Sequence, residues 1–438
     1  MAIDLGSVFW RYTHTHDATG RVIKLAPDGR IVGQEHPNEY FWAIEDATLV
    51  FQHLDGRRSV EFDLPAGTER PDTLAGRLVL WPDSGIETRL SREPGLTTLT
   101  VESGRRLADR IDLIAPAVKV AAPKAAGDGA RDSYVASGID LLTFHDAIVL
   151  NKYGAIEKDG AVVRESLFHF PFFMDRNLLK FSEAELGRFD VVPTLRARRA
   201  LHALAGVSGN HFHWLLFFVC KIALYGELPS RRKDLVVLLP DYLWEAQRQS
   251  AELVAEHYGL PIVRLQDAGA VFVEELLAPF QQTPHGIDIH PAAMTAFAII
   301  KRGTAGQAPP GPERIYVTRS DSKFRRLENE AEIEGLLARF GFTVVRLTGL
   351  SLAQQVALFA HARIVIGPHG AGLTNLAFCE AGTRVLEFQH PDHVSWCMKH
   401  LAYLAGLDYR FLMGHVSIED RYRIDTEALF AILRDLVA

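Results

Sequence analysis

The run Arg363 to Asn375, RIVIGPHGAGLTN, carries residue types and spacing that suit anion binding. Ile364, Val365 and Ile366 read as a short buried strand, Gly367 to Gly372 as a tight turn, and Leu373 or Thr374 as the start of a helix. A strand–turn–helix unit of this kind leaves backbone N–H groups unpaired at the positive end of a helix dipole. A phosphate or diphosphate is the natural occupant. Gly367, Gly370 and Gly372 let the backbone approach such a ligand closely, Ala371 lies between them, and His369 adds a donor that can become cationic. The spacing matches neither the dinucleotide fingerprint nor the phosphate loop of nucleotide hydrolases.

Basic residues follow in TRSDSKFRRLENE, where Arg319, Lys323, Arg325 and Arg326 lie close together. Arg319 ends a strand, so its guanidinium can reach a crevice and clamp a diphosphate with paired donors. Lys323 and Arg325 read equally well as donor contacts or as a solvated basic loop, and Asn329 and Glu330 can simply open the next helix. Glu387 ends a later strand, where a carboxylate can accept both hydroxyls of a ribose or pair structurally with an arginine. A third group lies in GNHFHWLLFF, residues 209–218. His213, three residues after Asn210 on an apolar helix, can take a proton near neutral pH, or it can be a hydrogen-bonded core residue. His211 is the less favoured alternative. No metal is expected, because His14 and His16 lack a carboxylate partner and Asp392–His393 is only a single pair.

The elements that must position these residues alternate regularly. From 314 onward, strands at 314–318, 343–347, 364–366 and 384–388 are separated by helices at 328–340 and 351–362. Ser351 and Gln354 form a capping box, and Gly341 is a stop signal. Helices at 402–406 and 427–436 follow. Strands separated by single helices imply a parallel sheet covered on both faces, with ligands at the carboxyl ends. From 131 to about 300 the alternation is looser, with strands at 147–150, 161–164, 234–239 and 261–265 and helices at 209–225, 244–257 and 291–301. Residues 303–313 are a loop between this part and the last. Residues 1–113 are β-rich, with hairpin signals at Asp28-Gly29 and Asp55-Gly56 and alternation through Val60, Phe62 and Leu64. A small antiparallel barrel or sandwich is expected there. Trp10, Tyr40, Phe41, Trp42 and Trp81 could form a sugar-stacking platform, although core and rim positions suit them better. Residues 114–130, rich in Ala, Pro and Gly, read as a linker.

The chain has 438 residues, 48% apolar, with a net charge of −7, room for two or three domains. The acidic balance argues against general nucleic-acid binding. Cys220, Cys379 and Cys397 are too widely spaced for a disulfide framework or a zinc site. The first residues lack the pattern of a signal peptide, and the apolar run Trp214 to Cys220 is too short to span a bilayer. A cytoplasmic protein is expected, with peripheral membrane contact left open and the oligomeric state undetermined.

Residues 316–388 resemble the signature region of glycosyltransferase family 61: Arg319, Arg325-Arg326, Asn329-Glu330, Leu350-Ser351-Leu352, Gln355 and Gly367 through Asn375 fall in step. Asn210 with His213-Trp214 resembles the family's Asn-x-x-His-Trp element, so the likeness covers roughly 205–390. The resemblance implies an α/β protein of GT-B architecture, two Rossmann-like domains with parallel sheets facing a cleft. The acceptor domain would span 131–302 and the donor domain 303–438, with the β-rich module in front. It implies an inverting transferase that needs no cofactor and no obligatory metal. Its partners would be a nucleotide-sugar and a glycan or lipid-linked glycan acceptor, as in bacterial surface polysaccharide synthesis. On this reading His213 is the base and Asn210 and Trp214 meet the acceptor. Arg319, Lys323, Arg325, His369, Gly370, Ala371, Gly372, Asn375 and Glu387 hold the donor. Two rivals are a nucleotide-sugar epimerase or hydrolase of the same architecture and a non-catalytic glycan-binding protein.

Overall fold

The computed structural model of the chain describes residues 4–32, 38–67, 71–93, 96–121, 133–150, 154–167, 186–189, 193–204, 210–240, 243–265, 269–282, 288–322, 325–418 and 421–438. Its first eight strands, Phe9–His14 through Glu87–Arg92, form one antiparallel sheet in which the first three, and the fourth to the eighth, each pair with their neighbours in sequence. The first strand also pairs with the eighth, from Trp10 opposite Arg92 to His14 opposite Thr88. Between the third and fourth, Ile31 N–H donates to the Tyr40 carbonyl at 3.0 Å and Trp42 N–H to that of Gly29 at 2.8 Å. Those bonds close the ring, so the module is a barrel. The expected hairpins are present, with Gly29 and Gly56 at φ +83° and +87°. Trp10, Phe51, Val60, Phe62 and Leu90 fill the interior. Trp10 is therefore core, as small barrels require, whereas Trp81 stays 53% exposed at the rim.

The change of sheet falls before residue 113. Leu96–Glu102 pairs with Ala161–Val163, and Arg110–Ala115 pairs with Ile139–Leu150, both in a second, mixed sheet. Part of the expected linker is also ordered, since Val118–Ala121 pairs with Ser133–Ala136; residues 122–130 lie outside the described residues. Within the second sheet, Ile262–Arg264, Val236–Leu239, Leu195–His202 and Ala270–Gln281 lie side by side and parallel. In chain order that is third, second, first, fourth, the order of half a dinucleotide-binding sheet. Ile139–Leu150 then runs antiparallel along Ala270–Gln281, so the expectation of a wholly parallel sheet is corrected for this half. Leu195–His202 and Ala270–Gln281 were not expected as strands, because Arg and Glu interrupt their apolar pattern. The charges pair across the ladder: Arg199 sits opposite Glu275, and its guanidinium binds Glu275 and Asp234.

The last third forms a five-stranded parallel sheet in the order Thr343–Val345, Arg314–Val317, Ile364–Pro368, Arg384–Gln389, Asp408–Met413. The fifth strand was not foreseen. Both bonds of the Ser351–Gln354 capping box form, at 2.8 and 3.2 Å, and Gly259 and Gly341 stop their helices at φ +67° and +75°. The helix expected from Gly209 begins at His211, Gly209 itself lying outside the described residues, and its middle turn Trp214–Val219 is π-helical.

One apolar cluster joins the two large sheets. Trp214, Ile222, Val254 and Phe297 from the middle of the chain pack in it with Ile315, Phe359, Val365 and Leu376 from the end. Phe297 meets Phe378 edge to face at 5.4 Å between ring centres. Trp214 is fully buried, and its indole N–H donates to the Gln247 carbonyl at 3.1 Å and Ser250 Oγ at 2.8 Å.

Trp214→Phe removes both indole bonds and should cost about 1–3 kcal/mol, read as a lower urea midpoint. His202 is a second probe of this core. It is fully buried, and its Nε2 donates to the Gly154 carbonyl at 2.6 Å. Burial, helped by the Lys221 charge, pushes its pKa down to about 3. Between about pH 6.5 and that value only the unfolded chain takes up the proton, so stability present above pH 6.5 is lost as pH falls, by about 1.4 kcal/mol per unit. His202→Gln, which cannot titrate, should show a shallower acid slope in urea titrations at stepped pH.

Candidate functional site

In the C-terminal sheet the chain order runs second, first, third, fourth, fifth, which places the topological switch between Arg314–Val317 and Ile364–Pro368. Ligands in open parallel sheets bind outside the carboxyl ends at such a point. A cleft of about 890 Å³ opens there. Arg319, Gly370, Ala371 and Gly372 line one side, and His211 and Trp244 line the other from the preceding half of the chain.

Arg319 is held in place on both sides. Glu330 Oε1 accepts from Tyr316 Oη at 2.9 Å, Thr318 Oγ1 at 2.7 Å and Arg319 N–H at 3.2 Å, which fixes the strand end. The guanidinium donates to the His369 carbonyl and to Ser322 Oγ at 2.9 Å. It lies against Gly370, where a Cβ would sit 2.4 Å from Nη1, so a side chain at this position would push the guanidinium aside. The tight helix Ala371–Phe378 follows at once. Among the described residues no group accepts from the N–H of Gly370, Ala371 or Gly372. Guanidinium and free amides together make a cationic rim. Among the described residues no three His, Cys, Asp or Glu side chains gather to hold an ion.

Asn375 is buried and braces the turn: its Nδ2 donates to Gln355 Oε1 at 3.2 Å and the Gly372 carbonyl at 3.1 Å. Its Oδ1 therefore faces His211 Nε2, at 3.4 Å. Because Oδ1 can only accept, Nε2 carries the proton and Nδ1 is left with a lone pair. Burial lowers the His211 pKa, opposed by the Asn375 bond, so the neutral ring dominates near pH 7.

Several sequence-based roles change with these positions. His213, the preferred base, does not line the cleft; its ring stacks on Phe217 and meets Phe212 edge-on. Asn210 is the helix cap, accepting from the N–H groups of Phe212 and His213 at 3.0 and 3.3 Å. Trp214 is core and cannot meet an acceptor. Glu387 is fully buried behind the turn, where Oε1 takes His369 Nδ1 at 2.6 Å and Oε2 takes Gln389 Nε2 at 3.0 Å and the Tyr409 hydroxyl. It braces His369 instead of facing a ribose. The His369 ring is 10% exposed and turned to Glu387, and it is the residue's carbonyl that serves Arg319. Arg325 does not line the cleft, and its charge acts on Tyr422. Lys323 lies outside the described residues.

Trp244 was missed. It stands 66% exposed at the cleft, just after the strand Val236–Leu239, its backbone N–H bound to Gln247 Oε1 at 3.2 Å. An aromatic between a buried strand and a polar helix was the available signal.

No curated protein matches the chain. Among solved structures, a psychrophilic marine protease MP inhibitor aligns over 20% of this chain and 96% of its own at 12% identity, with a TM-score of 0.16. A flavo di-iron protein variant from Thermotoga maritima aligns over 51% of this chain and 50% of its own at 11% identity, with a TM-score of 0.23. Neither likeness bears on function. Residues 211–386, which carry His211, Trp244, Arg319 and the glycine turn, match the family model described as Glycosyltransferase 61, a likeness over about two fifths of the chain.

Proposed function

We propose that this protein transfers a sugar from a nucleotide-sugar to a hydroxyl acceptor, with inversion, in a GT-B-type arrangement of donor and acceptor halves. The donor half is the C-terminal parallel sheet and the acceptor half the mixed sheet before it. The observation that carries this reading is the facing of two sets of groups across one cleft: Arg319 and the turn amides on one side, the Asn375-bound His211 on the other. The family match adds the reaction class. A role in bacterial surface polysaccharide synthesis rests on the sequence resemblance.

In the chemical step the acceptor hydroxyl gives its proton to His211 Nδ1 while its oxygen attacks the anomeric carbon in line. The bond from that carbon to the diphosphate oxygen breaks, and the electron pair leaves with the nucleoside diphosphate. Arg319 and the N–H groups of Gly370 to Gly372 meet the charge that develops there. Preorganised donors of this kind stabilise a transition state because they need no reorientation as it forms.

A thermal-shift panel of UDP, GDP, CMP and ADP should single out one nucleotide class. Arg319→Ala should weaken that nucleotide about 10- to 100-fold in calorimetry, the loss of charge-assisted bonds of ~1.5–3 kcal/mol; unchanged affinity would remove Arg319 from the donor site. His211→Ala should slow turnover by about 10²–10⁴ with nucleotide affinity intact. Weaker nucleotide binding at unchanged turnover would instead make His211 a donor contact.

A further inference from the structure

The barrel interior changes character along its axis. Phe51, Val60, Phe62 and Leu90 pack one part dry, while Tyr12, His14, Arg21, Glu39 and Thr88 line a cavity of about 280 Å³ with the exposed Trp81 also on its wall. Two of these polar atoms lack partners among the described residues. Thr88 is 4% exposed and its Oγ1 makes no hydrogen bond, and His14 Nδ1 is likewise buried and unbonded. Gly76, paired with Thr88 in the ladder, lets the Phe62 ring pack directly against the backbone below the cavity, since a Cβ there would lie 2.4 Å from that ring and 2.7 Å from Thr88 Oγ1. Glu39 is buried beside Tyr12, whose phenol is pushed up by burial and by that carboxylate and drawn down by Arg21. Unpaired buried polar atoms cost free energy that a bound ligand can recover.

We infer that this cup binds one ring of a neutral oligosaccharide, with Trp81 stacked on the sugar's C–H face and Glu39, Arg21, Thr88 and His14 meeting its hydroxyls. The volume suits a single hexose. An exposed indole next to mixed donors and acceptors suits a sugar, whose faces are apolar and whose edge is ringed by hydroxyls. Asp17 and Glu39 outnumber Arg21 among the charged lining groups, which disfavours a uronate or a phosphate. The site is separate from the cleft and does not depend on the transferase reading.

Full-length protein is titrated with cellotriose, maltotriose, laminaritriose and mannotriose, and with a galacturonate trimer, in ligand-observed NMR and calorimetry. At least one neutral trisaccharide should bind, about tenfold more weakly in Trp81→Ala. Thr88→Val keeps the side-chain shape and loses no protein bond, so it should melt at or above the wild-type temperature yet bind the sugar several-fold more weakly. Arg319→Ala should bind the sugar normally. Binding of none of the neutral trisaccharides, binding of the galacturonate trimer alone, or sugar affinity that is lost in Arg319→Ala and kept in Trp81→Ala would each overturn the inference.

Discussion

The apolar contact between the two large sheets is what the site depends on. His211 belongs to the middle of the chain and Gly370 to Asn375 to its end, and they meet because the helices carrying them share one core. Trp214 is buried one helical step beyond His211, and Leu373 and Leu376 are buried on either side of Thr374 and Asn375. Each polar group is thus carried on an element whose neighbouring side chains are anchored in apolar packing. Groups assembled this way keep their distance without a ligand to hold them.

Around the glycine turn the protein supports charge with charge and with donors. A fully buried carboxylate is costly unless its lone pairs are met. Glu387 meets this condition through His369, Gln389 and Tyr409, and Tyr409's own burial, with the charge and hydrogen bond of Glu387, keeps that hydroxyl protonated as a donor. The order thus runs from Glu387 to the His369 ring, from the His369 backbone to Arg319, and from Arg319 across Gly370. The carboxylate that sequence placed on the ligand acts instead three steps behind it.

Local signals were legible in the sequence, and long-range ones were not. The capping box at Ser351 and the stops at Gly259 and Gly341 each depend on a few adjacent residues, and each forms as read, whereas the glycine turn is shorter than read, the strand running on through Pro368 and a tight helix starting at Ala371. His213 was preferred over His211, yet it is His211 that lines the cleft, and the reason is definable. Asn210 was taken as a helical residue sharing a face with His213, but it is the cap, with extended backbone, so the helical phase begins one residue later. Strands Leu195–His202 and Ala270–Gln281 escaped because Arg199 and Glu275 look like surface residues until the ladder sets them opposite each other. Ring closure of the barrel depends on Gly29 and Tyr40 meeting Trp42 and Ile31, a pairing no local pattern announces. The alternation at Val60 and Phe62 gave the strand but not the curvature.

The same core bears on how a ligand enters. Swinging the two sheets apart would expose Trp214, Val254 and Phe297 on one side and Phe359, Leu373 and Leu376 on the other, all buried here. At roughly 1.5–3 kcal/mol for each large apolar side chain, exposing even these six costs on the order of 10 kcal/mol. A micromolar ligand supplies about 8 kcal/mol in total. Wide rotation about this contact is therefore out of proportion to any binding step, and the cleft is already formed before the ligand arrives. Among the described residues the core does not hold the side chains of Trp244 and Glu245 at the rim, nor the exposed turn around Gly349, where φ is +88° and a Cβ would meet nothing within 4 Å. A preformed site of this kind discriminates between ligands by fit at a fixed distance, because little of the binding energy goes into assembling it.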